Sequence, residues 1–213
     1  MDALRVVAYN AHMGEMESSL GLGLSIGIRH PQIIKILLHD PLAPSTIFMI
    51  QEAGQLLALL AKKYMKNHVA YYQNGDGKPM NVLTLVPKTL IESEDATVET
   101  LRFKVSPMRR QCHIVLVRGT ALVNVHLESC ADGARVREQQ VIEIGNRVQK
   151  LGELKKRTYG YAIFGDLNGY TGKTRRRVAH LAHGVKVTEG LKVRHVSYSP
   201  HKLHEFTVST FST

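Results

Sequence analysis

A chain of 213 residues is long enough for one sizeable hydrophobic core and short for two domains, and its 44% hydrophobic content excludes wholesale disorder. No apolar run approaches the roughly 20 residues needed to cross a bilayer, and the start, MDALRVVAYN, enters a strand-like run without a basic leader. No signal peptide and no membrane span are therefore expected, and an intracellular location, nuclear or cytoplasmic, is implied. Lys plus Arg number 28 against 18 Asp plus Glu, and the resulting +10 points to a polyanionic partner whose counterions are released on binding.

Along the chain, strand-like and helix-like segments alternate. LRVVAYN (4–10) is a β-branched run, and PQIIKILLHD (31–40) reads as a helix with Pro31 at its start and apolar residues spaced at three and four. TIFMIQE (46–52) returns to a buried strand, and GQLLALLAKKYMKN (54–67) is helical again. Between 69 and 127, HVAYYQN, MNVLTLVP, TVETLRFKV, QCHIVLVRG and TALVNVHLE are short strands broken by turn signals at Asn74-Gly75-Asp76-Gly77 and Arg118-Gly119, a pattern that predicts antiparallel hairpins. The longest helical pattern runs over 134–157, with Val136, Val141, Ile142, Ile144, Val148 and Leu151 as its apolar stripe. YAIFGDLN then forms another buried strand, and GVKVTEGLKVRHVSYS and HEFTVSTF close a second strand-and-loop region. This mixed order predicts an α/β protein, a four-layer α/β/β/α sandwich of two packed mixed β-sheets flanked by helices, built as a single domain over 1–213. A single mixed sheet is the alternative.

The basic residues cluster at Lys104 to Arg110, Lys155 to Arg157 and Lys173 to Arg177, each of which also suits a solvated surface. Cys112 and Cys130 are read as free thiols, lacking the companions of a zinc site. Gly172-Lys173-Thr174 invites comparison with a phosphate-binding P-loop, but the glycine required five positions earlier is Leu167, and Gly165 is two residues too far. GDLNG reads instead as a strand ending in a turn that throws two polar side chains out at its carboxyl end, where ligands bind in α/β proteins.

Four strand ends present polar side chains in order: Asn10 after RVVAY, Glu52 after IFMIQ, His126 and Glu128 in LVNVHLES, and Asp166 with Asn168 in YAIFGDLN. Each has a plain structural explanation: Asn10 as a turn residue, Glu52 as a helix cap, His126 as a satisfied strand histidine, Asp166 and Asn168 as turn-formers. As a set, carboxylate, amide and imidazole delivered to the ends of buried strands are what a metal-assisted phosphoryl site requires. At these residues the sequence resembles the endonuclease/exonuclease/phosphatase superfamily, the fold of DNase I, abasic-site endonucleases and retroelement endonucleases. AYN, IQE, VHLES and FGDLN match four of its motifs in order, and HLES followed by ARVREQQV is most similar to the branch of tyrosyl-DNA phosphodiesterases of the five-prime type.

The resemblance implies a Mg²⁺-dependent phosphodiesterase acting on nucleic acid, a nuclease or DNA-end-processing enzyme, with Mn²⁺ able to substitute. Glu52 would hold the metal and Asn10 would help position it or the neighbouring aspartate. Asp166 would orient or deprotonate the attacking water, while Asn168 and His126 would donate to phosphoryl oxygens; Glu128 and Ser129 would support. DNA stands ahead of RNA as the partner, although charge alone does not choose between them. Tyr71, Tyr72 and Tyr170 are the candidates for base stacking. A non-catalytic nucleic-acid-binding module and a lipid or inositol phosphate phosphatase are the alternatives on the same fold.

Members of this superfamily end with an Asp-His pair, commonly in SDH, and no SDH occurs here. Glu205 in HEFTVST stands where an aspartate is usual, and the sequence stops at Thr213 where the pair would follow. Two explanations are open: a domain cut from a longer polypeptide, or transfer of the role to His195, His201 or His204, which the plainer reading places in a polar surface loop.

Overall fold

The computed structural model describes residues 3–11, 26–73, 81–129, 133–169, 178–189, 194–195 and 202–210. In chain order the elements are β1 (Leu4–Asn10), α1 (Ile26–Leu38), β2 (Thr46–Ala53), α2 (Gln55–Tyr64), β3 (His68–Tyr72), β4 (Asn81–Pro87), α3 (Lys88–Glu92), β5 (Ala96–Arg102), β6 (Gln111–Val117), β7 (Thr120–His126), α4 (Ala134–Lys155), β8 (Gly160–Asp166), β9 (Val178–His183), β10 (Val185–Glu189), β11 (Arg194–His195) and β12 (Lys202–Thr210). One sheet has the order β10-β12-β1-β2-β4-β3, with β11 also on β12; the other has the order β5-β6-β7-β8-β9. β1 and β2 run parallel, as do β7 and β8, and every other pairing is antiparallel.

Side-chain alternation along the strands builds the layers. Val7, Tyr9, Phe48 and Ile50 face outward from the first sheet and pack under Ile33, Ile34 and Leu37 of α1 and Leu57, Ala58 and Ala61 of α2. Val6, Ala8, Ile47 and Met49 face inward and meet Val115, Leu122, Ala162 and Phe164 of the second sheet, joined by Phe206 and Val208. The outer face of the second sheet, with Ile114, Val123 and Ile163, is covered by Ile144, Val148 and Leu151 of α4. The result is the expected α/β/β/α sandwich, with each large buried side chain stabilising by about 1.5–3 kcal/mol relative to exposure.

Local chemistry explains most boundaries. The β6–β7 hairpin closes on Arg118 (φ 48°) and Gly119 (φ 78°), the pair of positive φ values that a two-residue turn matched to strand twist requires. Two readings of the sequence are corrected, and two elements are added. α1 begins at Ile26, so Pro31 lies inside the helix and not at its start. Ile142 is 46% exposed because two residues along a helix turn about 200°, which sets it opposite buried Ile144. The strand β9 and the short helix α3 were not anticipated. The Asn74 to Gly77 turn lies outside the described residues.

Candidate active site

Because β1 and β2 are parallel, Asn10 and the end of β2 reach the same edge of the first sheet, with Asn10 opposite Gln51. Asn10 shares the inward parity of Val6 and Ala8 and is fully buried within the strand, so it is not a turn residue. Glu52 needs a device. Strict alternation would send it outward with Phe48 and Ile50, but three steps of β2 from Ile50 to Ala53 are opposed by only two of β4, Leu83 to Asn81. This bulge puts Glu52 at φ 50°, a left-handed conformation uncommon for a side chain of its size, and re-aims its carboxylate toward Asn10. It does not cap α2, whose N-cap is Gly54.

In the second sheet the parallel pair β7 and β8 sets His126 directly beside Asp166. Both carry the inward parity of Leu122 and Phe164, and both are buried. Gly165 has φ 139°, and a Cβ there would come 1.9 Å from the carbonyl oxygen of Val125, so this position requires glycine. Beyond the strand, the Asn168 backbone N–H donates to Asp166 Oδ1 at 3.0 Å, and the Asn168 amide donates to the Leu127 carbonyl at 2.7 Å. The turn-forming bonds considered from the sequence are thus present, and they fix the carboxylate between them.

The two sheets meet at these residues. Asn10 Nδ2 donates to Glu52 Oε1 and to Asp166 Oδ2, each at 3.0 Å, across sequence separations of 42 and 156 residues. His126 Nδ1 lies 3.9 Å from Glu52 Oε1. Ligand atoms of Glu52, His126 and Asp166 all fall within 4.8 Å of one another. Burial pushes the Asp166 pKa above the ordinary aspartate value; the bonds from Asn168 and Asn10 and the charge of Arg110 pull it back, and Glu52 pushes it further up. Two buried carboxylates bridged by one neutral amide, with an imidazole alongside, form a donor set that suits a hard divalent cation such as Mg²⁺ or Mn²⁺.

Arg110 is the residue that sequence reasoning did not single out. It is buried, and its guanidinium donates to Ser129 Oγ at 3.3 Å. Its neighbour Arg109 is exposed, and nothing in the run MRR separates the two. Glu128 is fully buried and accepts from Ser106 Oγ at 2.9 Å, while its backbone N–H donates to Gln140 Oε1 and its carbonyl accepts from Arg137, which ties the end of β7 to α4.

Other expectations resolve differently. The residue that β12 turns toward the inter-sheet layer is His204, buried, opposite Ala8 and stacked on Phe206; Glu205 faces the other side, where Arg5 donates to it at 2.8 Å. His204 is therefore not in a surface loop. His195 lies on β11, and His201 is outside the described residues. Tyr71 and Tyr72 are half-buried against the inter-sheet and helix-side cores. Cys112 is a buried free thiol, and burial raises its pKa. Tyr170, Cys130 and Lys173 to Arg177 lie outside the described residues. Among the described residues no helix is long and apolar enough to cross a membrane.

No protein-family model matches the sequence, and no curated protein matches it. Solved structures do resemble it. TDP2 from Danio rerio, crystallised with a single-strand DNA product, is 15% identical, matches over 99% of this chain and 100% of its own, and superposes with a TM-score of 0.63. TDP2 from Caenorhabditis elegans is 18% identical over 97% of this chain and 74% of its own, with a TM-score of 0.60. An endonuclease/exonuclease/phosphatase protein from Bacteroides vulgatus is 11% identical over 99% of this chain and 100% of its own, with a TM-score of 0.67. By its two packed mixed sheets and flanking helices, this chain has the endonuclease/exonuclease/phosphatase fold, in the form that TDP2 shares.

Proposed function

We propose that this protein is a divalent-metal-dependent phosphodiesterase that hydrolyses nucleic acid, with DNA ahead of RNA as substrate. The observation that carries the reading is the buried junction of Asn10, Glu52, His126 and Asp166 where the two sheets meet. A Mg²⁺ or Mn²⁺ ion held by Glu52, with Asn10 at its side, would supply positive charge to a phosphoryl oxygen. Asp166, held by Asn10 and Asn168, takes the proton of a water attacking phosphorus as the P–O bond to the leaving oxygen breaks and that oxygen is protonated from solvent. Asn168 retains one amide N–H beyond that given to Leu127, and with His126 it donates to the phosphoryl oxygens as charge builds. Arg110 adds a fixed positive charge near Asp166. Among the described residues, His204 is buried in the inter-sheet layer and is a candidate for the role of the family's terminal histidine. The single-strand DNA product in the Danio rerio TDP2 structure and the +10 charge of this chain both favour a nucleic-acid substrate.

The test is incubation of the purified chain with single- and double-stranded DNA and RNA in Mg²⁺, in Mn²⁺ and in chelator, beside Asp166→Ala and His204→Ala. Metal-dependent cutting that vanishes with Asp166→Ala is the expected result. Salt-sensitive binding without cutting in either metal would instead assign a nucleic-acid-binding module.

A further inference from the structure

Directly beneath the junction, the inter-sheet layer carries a connected group of buried polar side chains. Gln51, Thr84, Asn124 and His113 come from β2, β4, β7 and β6, and each is at most 1% exposed. Gln51 Nε2 donates to Asn124 Oδ1 at 2.7 Å and to the Met49 carbonyl at 3.0 Å. Asn124 Nδ2 donates to the Leu83 carbonyl at 3.0 Å and to Thr84 Oγ1 at 2.9 Å, and Thr84 Oγ1 lies 2.9 Å from His113 Nδ1. Both N–H groups of each amide are used, so the acceptors dictate which way the amides point. An apolar pair of the same volume would fill the space without that directionality.

Gln51 is also placed beside every member of the junction. It precedes Glu52 in the bulge, and its carbonyl accepts from Ala11 N, the residue after Asn10, at 2.9 Å. Its amide occupies the side of Gly165, just before Asp166, where a Cβ would meet Nε2 at 3.1 Å. Its partner Asn124 stands two residues before His126 on the same face of β7. One residue, by its side chain and its backbone carbonyl, thus touches or adjoins the strands that deliver all four polar groups.

We infer that Gln51, through its bond to Asn124, is a positioning residue that holds the metal-binding Glu52 in register with His126 and Asp166 across the two sheets. The inference rests on the metal-dependent reading above. A displaced Gln51 would free the bulge that aims Glu52 and let the second sheet slide beneath His126, opening the metal site without removing the group that holds the ion. Residues that orient metal ligands in this way change metal affinity by roughly 10- to 100-fold when replaced.

The test follows Mn²⁺ binding to the full chain by the EPR signal of the free ion, for wild type, Gln51→Met and Glu52→Gln, with circular dichroism and urea unfolding as controls of the fold. Wild type is expected to bind Mn²⁺, Glu52→Gln to lose it, and folded Gln51→Met to bind roughly 10- to 100-fold more weakly. On single-stranded DNA, kcat for Gln51→Met should fall while KM stays near wild type. A folded Gln51→Met with wild-type Mn²⁺ affinity overturns the positioning role, even if its stability drops, and leaves the function intact. Wild type that binds no Mn²⁺ overturns the function and this inference with it. Should Gln51→Met fail to fold, Asn124→Val removes the acceptor while leaving Gln51 in place, and unchanged Mn²⁺ affinity there overturns the proposal in the same way.

Discussion

Strand β1 carries a junction of carboxylates near each of its ends, and the two are built on opposite principles. At Arg5, Glu205 accepts from Nε at 2.8 Å and from NH2 at 3.0 Å, and Asp40 accepts from NH2 at 2.7 Å, so two acids close on a cation. At Asn10, Glu52 and Asp166 close on a neutral amide instead, each at 3.0 Å and more deeply buried. The first cluster meets its acids with a charged guanidinium of the fold's own. The second joins two buried carboxylates through a neutral amide, and burial pushes the Asp166 pKa above the ordinary aspartate value. The contrast sets a charge-paired cluster against an amide-bridged one, and the proposed metal site is built on the second.

The largest effect that would sharpen this contrast is on turnover. Asp166→Ala is expected to lower kcat/KM on DNA by about 10²–10⁴-fold while leaving the metal-free melting temperature unchanged or higher; a marked loss of stability would make the Asn10 junction structural after all. Next comes acid. Burial depresses the His113 pKa from 6.5 to about 4, so between these values the unfolded chain takes up a proton that the folded one refuses. Stability should therefore fall as pH drops from 6.5 toward 4, by about 3 kcal/mol in all, and urea unfolding of His113→Leu should show a flatter dependence. Arg5→Met should cost about 2 kcal/mol, a value reduced for partial exposure, with Mn²⁺ affinity unaltered; weakened Mn²⁺ binding in that variant would break the comparison. The smallest expected effect is a metal-induced rise in stability of about 1.4 kcal/mol at a Mn²⁺ concentration tenfold above its Kd, present in Arg5→Met and absent from Glu52→Gln.

How much of this was legible in the sequence depended on parity. Asn10, His126 and Asp166 end β-branched or apolar runs with the inward parity of the strand, so their appearance at one edge follows from alternation and two parallel pairings. Glu52 has the wrong parity, and only the bulge, which no residue type in IFMIQEAG announces, brings it inside. The same sensitivity misplaced the polar residue of β12, because a slip of one residue exchanges Glu205 for His204 and turns one away from the layer the other enters. Strand β9 reads VAHLAH, with small residues and histidines in place of the β-branched signal, and α3 is only 5 residues long. Burial of Arg110 beside exposed Arg109 is a tertiary outcome, set by how the segment before β6 closes over Glu128 through Ser106.

The pairing of β1 with β12 has a consequence for the order of assembly. Arg5 and Glu205 are separated by 200 residues, and β1 lies between β2, its near neighbour in sequence, and a strand delivered at the far end of the fold. During synthesis at about 5–20 residues per second, β1 would wait on the order of ten seconds with one edge open before its second neighbour emerged. Contacts of such long range make folding slow, and an apolar strand with an unpaired edge is a template for association with other chains. The helices α1 and α2, which are made early, cover the outer face of β1 in the interval and leave its edge to wait for β12.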